Sequence, residues 1–515
     1  LNVLNLSQCV RFNLLLLVIA VGFTFFNTFE KNLSPMKIKV RIAFIILIAL
    51  QFLVQCRFEP SDPGPENYAA RYQVESGRPV NVVMTAYKTT MMADGRDETL
   101  LRICLADSNG MEILDASRAI RVYIDGDATV RRENGEKLEL QTGEDSNVYA
   151  SGYITNGYER LILKAGTTAD KIKVEIKADS LWPASHEIHT IPASTMLMTP
   201  TEDQISRSSK PIFSMLGADI SFLPQLEDRG MTFYDQGAEK DAIHILADHG
   251  FNTIRLRIFV NPENEKGYAP ETGYCGLKYT SQMARRAKDA GMKLLLNFHY
   301  SDYWADPQQQ NKPLKWSNLN FDSLTITLKN YTAQVIRHLI DQGTRPEMVQ
   351  IGNEINHGML WPEGHISNLD NLADLLKAGV EGVREVDPSI IIMMHIALGG
   401  QNDEAVFWLD NMIARGVEFD ILGLSYYPRW HGTLDDLNTN MLDLAERYHK
   451  DLNVVEYAVF KKDIHEIVFS LPDDYGKGTC IWEPLNFWGA IFDRQGVALE
   501  TIQVYDTLRD LYYSR

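Results

Sequence analysis

Met348-Val349-Gln350-Ile351-Gly352-Asn353-Glu354-Ile355-Asn356 is a short apolar run that breaks at a carboxylate, and Leu452-Asn453-Val454-Val455-Glu456-Tyr457 repeats the arrangement further along. A charge taken out of water costs several kcal/mol unless it is paired, so packing alone is a poor reason for either glutamate. Working outward, apolar strand candidates fall at 213–220, 252–260, 292–299, 348–354, 390–397, 419–427, 452–457 and 478–485. Amphipathic helical patterns lie between them, among them Ala238–His249, Leu324–Gln342, Leu372–Val386, Asp403–Arg415, Thr433–Tyr448 and Thr501–Tyr513. Eight strands alternating with helical stretches predict a (β/α)₈ barrel over 211–515. Two carboxylates at the C-terminal ends of barrel strands point to glycoside hydrolysis, which needs one acid and one nucleophile or base.

The active site of such a barrel is built from the ends of its strands. Strand one ends at Asp219, strand two carries Arg255 and Arg257, and strand three ends at His299 with Asp302 and Trp304 just beyond. Strand four ends at Asn353-Glu354, strand six at Tyr426-Tyr427, strand seven at Glu456 and strand eight at Trp482-Glu483. Aromatic faces stack on sugar C–H surfaces, and carboxylates and amides bond hydroxyls. Each residue also has a plainer reading. A lone strand-end glutamate is more often an ion-pair partner, His299 could be a core histidine, and Trp304, Trp361 and Trp482 could be packing. Trp482 is the expected sugar platform, Trp430 and His431 are expected to line a more distant subsite, and Asp302, in a loop, is expected to touch substrate.

The rest of the chain is read more coarsely. With 515 residues, two domains are expected. A formal net charge of −18 argues against a nucleic-acid partner. Met36 opens Lys37-Ile38-Lys39-Val40-Arg41 before the apolar run Ile42–Val54 and Cys56, the layout of an export signal. The run is shorter than a spanning helix. Residues 1–56 are therefore expected to be an N-terminal extension and a lipoprotein-like signal, and the protein to be exported to a bacterial surface or outer membrane, or else to the periplasm or medium. Residues 57–66 read as a tether. From 67 to 184 short period-2 runs such as Ile172, Val174 and Ile176 alternate with turn pairs such as Asp125-Gly126, predicting an immunoglobulin-like β-sandwich. Residues 185–210 lack periodicity and read as a linker. Since every site residue lies after 211, the barrel is expected to work without the sandwich. Cys104, Cys275 and Cys480 are widely spaced and form neither a disulfide framework nor a metal cluster.

The barrel resembles glycoside hydrolase family 53, the arabinogalactan endo-β-1,4-galactanases. The matching stretches are Gly217–Ser221, Ile254–Arg257 with Asn261-Pro262, His299–Pro307, Gly352–Ile355 with Leu360-Trp361-Pro362, Gly423–Pro428, Val454–Glu456 and Trp482-Glu483-Pro484. The family is a retaining one, so the resemblance implies Glu354 as acid/base and Glu456 as nucleophile. It further implies that Arg255 and Tyr426 hold Glu456, that Asn353 binds the sugar 2-hydroxyl, and that Asp219, His299, Asp302, Trp304, Trp361, Trp430 and Trp482 complete the substrate-binding set. Some bacterial relatives carry a long insertion with calcium ligands after the nucleophile. Here only Tyr457–Lys477 precedes strand eight, so no cofactor and no calcium are expected. The implied partner is β-1,4-galactan and the implied state a monomer. Another retaining barrel glycosidase, of mannanase or xylanase type, and a non-catalytic glycan-binding protein are the competing readings.

Overall fold

The computed structural model describes residues 77–107, 112–142, 148–485 and 491–513, all within one compact unit, Pro65–Arg515. The expected signal, Cys56 and the tether lie outside the described residues.

Met215–Asp219, Thr253–Ile258, Lys293–Phe298, Met348–Ile351, Ile391–Ile396, Ile421–Tyr426, Asp451–Tyr457 and Gly476–Trp482 close into a barrel in that order. Every neighbouring pair is parallel, including the closing pair of first and eighth strands. Each strand falls on one of the eight apolar runs. Alternate side chains split between two layers. Met215, Leu295, Met348, Ile391, Met393, Ile421, Val455 and Cys480 fill the barrel interior. Their neighbours, such as Leu216, Ile254, Leu294 and Leu422, pack outward against the helices. Helix starts are capped locally: Asn320 accepts from Ser323 N–H ahead of Phe321–Asp341, and Thr433 and Asp436 form a reciprocal capping box ahead of Leu434–Tyr448. The helix expected over Ala238–His249 begins only at Ala242, because Asp241 caps it by accepting from Ile243 N–H. Ala238–Glu239 instead pairs with Tyr234–Asp235 in a small ribbon.

One irregularity in the sheet positions the site. The sixth and seventh strands pair Leu424 with Val454 but Ser425 with Glu456, so Val455 is an extra residue. In a bulge two residues oppose one. Val455 and Glu456 therefore both face the barrel interior, the first in its apolar floor and the second in its polar mouth.

The all-β domain is a sandwich of two sheets. Four strands run in the order Asn81–Ala86, Glu98–Ala106, Tyr158–Ala165, Ala128–Arg132, and six in the order Thr90–Ala93, Ala184–Pro192, Lys171–Lys177, Arg118–Asp125, Val148–Ile154, Glu139–Thr142. Ala184–Pro192 corrects the expected linker. It pairs with Lys171–Lys177 on one side and, in parallel, with Thr90–Ala93 on the other. The sandwich thus reaches Pro192; the run Ser185-His186-Glu187 shows no apolar alternation because Ser185 is exposed, His186 bonds the Met84 carbonyl and Glu187 pairs with Lys171. Arg207 then pairs with Asp451, and Lys210 with Asp420 and the Ile390 carbonyl, tying the remaining connector to the N-terminal ends of three barrel strands.

The sandwich also grips the opposite, C-terminal face. Glu404, buried at the start of helix Asn402–Ala414, accepts from the Thr89 backbone N–H, the Thr89 hydroxyl and the Thr90 hydroxyl. His189 Nδ1 lies 2.9 Å from His365 Nε2, and its ring packs 4.1 Å from that of His357. Arg429 donates to the Pro183 carbonyl. His357, His365 and Arg429 sit on the loops after the fourth and sixth strands, so the sandwich braces the loops that carry the site.

Candidate active site

Arg255 is the hub. Fully buried, it donates from Nη1 to Glu456 Oε1 at 2.7 Å and to Asp219 Oδ2 at 3.2 Å. Its Nη2 donates to Asn353 Oδ1 at 2.9 Å and to Gln350 Oε1 at 3.0 Å. An arginine has five donors and no acceptor, so everything it touches is obliged to accept. Arg257, two residues on and also inward, pairs with Glu483 and Asp219 while its guanidinium lies 4.3 Å from both the Phe222 and Trp304 rings. Three carboxylates around two buried arginines, with Asp219 shared between them, satisfy the desolvated charges that a strand end could not hold alone.

The fourth strand ends in a sharp turn that aims Glu354. Gly352 has φ 79° and Glu354 itself φ 50°, ψ 52°, a left-handed conformation that is costly for a side chain bearing Cβ. The turn sends Asn353 inward, where its amide donates to the Ala305 carbonyl, and leaves Glu354 Oε1 2.7 Å from Ser425 Oγ. Burial, reinforced by the charge of Glu456, pushes the Glu354 carboxyl well above the ordinary carboxylate range. Burial raises Glu456 too, but the guanidinium of Arg255 bonded to it opposes that shift. Of the two, Glu354 holds the proton and Glu456 the charge.

Most of the residues read from the sequence converge here. Asp219, Arg255, Asn353, Glu354 and Glu456 form one bonded cluster. His299 lies beside it, accepting from Ala305 N–H at Nδ1 and next to Asn297, and burial together with Arg257 and Arg255 keeps the ring neutral. Trp482 and Trp304 meet at 6.2 Å beside Phe222, an aromatic corner over the first, third and eighth strands. Trp430 stands edge-on to Tyr427 at 5.8 Å.

Three expectations need correction. Tyr426 does not hold Glu456: its hydroxyl donates to the Gly432 carbonyl, and Tyr427 reaches Glu456 Oε2 at 3.3 Å. Tyr426 ends the strand facing the outer layer, and the one-residue step between the two tyrosines is what a reading by motif cannot resolve. Asp302 is buried and accepts from Asn264 and from the Leu314 N–H, which makes it a brace within its loop. Trp361 packs against His189 of the sandwich and under Lys171, with its indole N–H given to the His357 carbonyl. Missed altogether were Gln350, His395 and Ser425, while Glu483 was read at the end of strand eight without a role. Gln350, His395 and Ser425 occupy inward positions of their strands, where polar residues in place of the usual aliphatics were the available signal. Among the described residues no group of His, Cys, Asp and Glu is placed to hold a metal ion.

Residues 215–467 match the sequence profile of Glycosyl hydrolase family 53, and residues 82–187 that of Glycoside hydrolase family 2 C-terminal domain 5. An uncharacterized protein in the bgaB 5′ region of Niallia circulans is 38% identical over 344 residues, spanning 56% of this chain and 92% of that one. The arabinogalactan endo-beta-1,4-galactanase of Humicola insolens is 37% identical over 333 residues, 56% of this chain and 98% of its own. Among solved structures, the Ignisphaera aggregans GH53 catalytic domain superposes with a TM-score of 0.54 at 32% identity, covering 58% of this chain and 98% of that one.

Proposed function

Because this chain belongs to glycosyl hydrolase family 53, we infer that its buried glutamate pair cuts galactan by double displacement, with Glu354 as acid/base and Glu456 as nucleophile. It is an arabinogalactan endo-β-1,4-galactanase, a retaining O-glycosyl hydrolase acting on the galactan side chains of pectin. The observation that carries the residue roles is the asymmetry around Arg255, which bonds Glu456 directly and reaches Glu354 only through other groups.

In the first step the ionised Glu456 attacks the anomeric carbon while Glu354 gives its proton to the departing glycosidic oxygen. The C–O bond to the leaving chain breaks and a glycosyl ester to Glu456 forms. In the second, the Glu354 carboxylate removes a proton from water, whose oxygen takes the anomeric carbon and releases Glu456. Two inversions give net retention. Asn353 is placed to bond the 2-hydroxyl of the reacting sugar, where contacts tighten in the transition state. The Trp482–Trp304 corner offers the aromatic platform for the sugar ring.

Purified protein incubated with β-1,4-galactan, β-mannan and xylan tests this. Oligosaccharides are expected from galactan alone, and release from mannan or xylan in its place would overturn the substrate.

Export and lipid attachment are part of the same reading. They are supported by Lys37–Arg41, the apolar run Ile42–Val54 and Cys56. Cys56→Ala is expected to release the protein from membranes, and unchanged attachment would refute lipidation.

A further inference from the structure

Between the nucleophile and the acid/base runs a chain of hydrogen bonds whose direction is set at one end. Arg255 can only donate, so the oxygens of Gln350 and Asn353 must face it. That leaves the Gln350 amide nitrogen to give to Asn297 Oδ1 at 2.7 Å and the Gly352 carbonyl at 2.8 Å, with His395 Nδ1 3.1 Å away. The Glu354 backbone N–H faces the same ring nitrogen at 3.4 Å. Asn353 Oδ1 also lies 3.2 Å from Nδ1, but it already accepts from Arg255, Asn297 and Gln350. With the Glu354 N–H aimed at it and the Asn353 oxygen already filled, Nδ1 accepts. His395 is fully buried, and burial together with Arg255 keeps the ring neutral, so its single proton sits on Nε2.

Nε2 lies 2.8 Å from Ser425 Oγ. A hydroxyl that accepts there has its own hydrogen left over, and the next group along is Glu354 Oε1 at 2.7 Å. A protonated carboxyl has one O–H and one carbonyl oxygen, and the oxygen facing a donor must be the carbonyl. We propose that Ser425, held by His395, is a positioning residue that confines the catalytic proton of Glu354 to Oε2 and steadies the carboxylate through Oε1 once the proton has gone. This rests on the reading of Glu354 as acid/base. Arg255 thereby orders both glutamates: one by direct contact, the other through Asn353, whose oxygen it fills, and then His395 and Ser425.

The wild-type protein allows a direct measurement. Its ¹⁵N spectrum with labelled histidine should show His395 as the Nε2–H tautomer, and an Nδ1–H signal overturns the proposal whatever any variant does. Ser425→Ala then separates positioning from mere packing. On galactan its kcat/KM should fall about 10- to 100-fold. On an aryl galactobioside with a dinitrophenolate leaving group, which needs no proton, it should stay within about threefold of wild type. The basic limb of the galactan profile should move upward, because the anion of Glu354 has lost a donor. Ser425→Cys, of similar shape and weaker donor strength, should fall between. Equal losses on both substrates, or an unmoved limb, would refute the role. Wild-type enzyme that is inactive on galactan or gives inverted products would instead refute the assignment of Glu354 itself.

Discussion

Arg255 Nη1 lies 2.7 Å from Glu456 Oε1, inside a barrel mouth where the arginine has no exposure to water. The pair is a positional device as much as an electrostatic one, since the same guanidinium holds Asp219, Gln350 and Asn353. Arg255→Met should leave Glu456 and Asp219 as buried charges with a partner lost, at a cost of about 3–5 kcal/mol in folding stability. It should also raise the pKa of Glu456, so the acidic limb of kcat/KM moves to higher pH and activity near neutrality falls. Chemical denaturation and a pH–rate profile check the two effects separately.

The two glutamates should fail differently when truncated. Retaining carboxylates stand about 5–5.5 Å apart, close enough for direct attack. Glu456→Ala should lose turnover and recover in azide, giving the inverted glycosyl azide from a substrate with a good leaving group. Glu354→Ala should keep activity on such substrates and give the retained azide. NMR of the first-formed anomer from the native enzyme is the control: an inverted product would exclude double displacement.

Tyr427 and Tyr426 are adjacent and chemically identical, yet only the first reaches Glu456. Tyr427→Phe should lower kcat on galactan by about tenfold with little change in stability. Tyr426→Phe removes a buried bond to a carbonyl and should cost about 1–3 kcal/mol of stability with kcat nearly unchanged. Paired thermal melts and Michaelis–Menten constants distinguish them.

The sandwich is bound to the barrel through buried polar contacts, which alters what truncation should do. Glu404 takes three hydrogen bonds from Thr89 and Thr90, so Glu404→Ala strands their donors and should cost about 1–3 kcal/mol. A chain starting near Lys210 loses all of these partners and uncovers the loops after the fourth and sixth strands. It should melt lower than the full protein and lose kcat on galactan; unchanged turnover and melting would show the contacts to be incidental.

That interface should also weaken in acid. Burial depresses His186 and His365 from 6.5 to about 4. Below pH 6.5 the unfolded chain binds protons that the folded one refuses until about pH 4, so stability is lost as the pH falls across that window. Each histidine contributes a slope of up to about 1.4 kcal/mol per pH unit. The double variant His186→Gln/His365→Gln should show a flatter dependence of Tm on pH between these limits.

The barrel was legible because period and length carry it: each apolar run is a strand and most helical patterns are helices. The two glutamates were legible because a carboxylate ending an apolar run has no packing reason to be there. What the sequence hid was relational. Ser185–Glu187 is a strand by its pairing with Lys171–Lys177, and its polar side chains give no local pattern that announces it. Ser425 and His395 look unremarkable until the barrel closes and brings the fifth and sixth strands beside the fourth. The choice between Tyr426 and Tyr427 depends on which side of the sheet a residue faces at the end of a strand, where alternation gives way to loop.

The extra residue at Val455 makes the nucleophile depend on how many residues its strand contains as well as on which they are. Under strict alternation, with Val454 outward and Val455 inward, Glu456 would lie against the aliphatic layer under the helices, out of reach of its arginine; the doubled step turns it back. The direction in which the nucleophile points is thus a property of strand register that no single side chain carries.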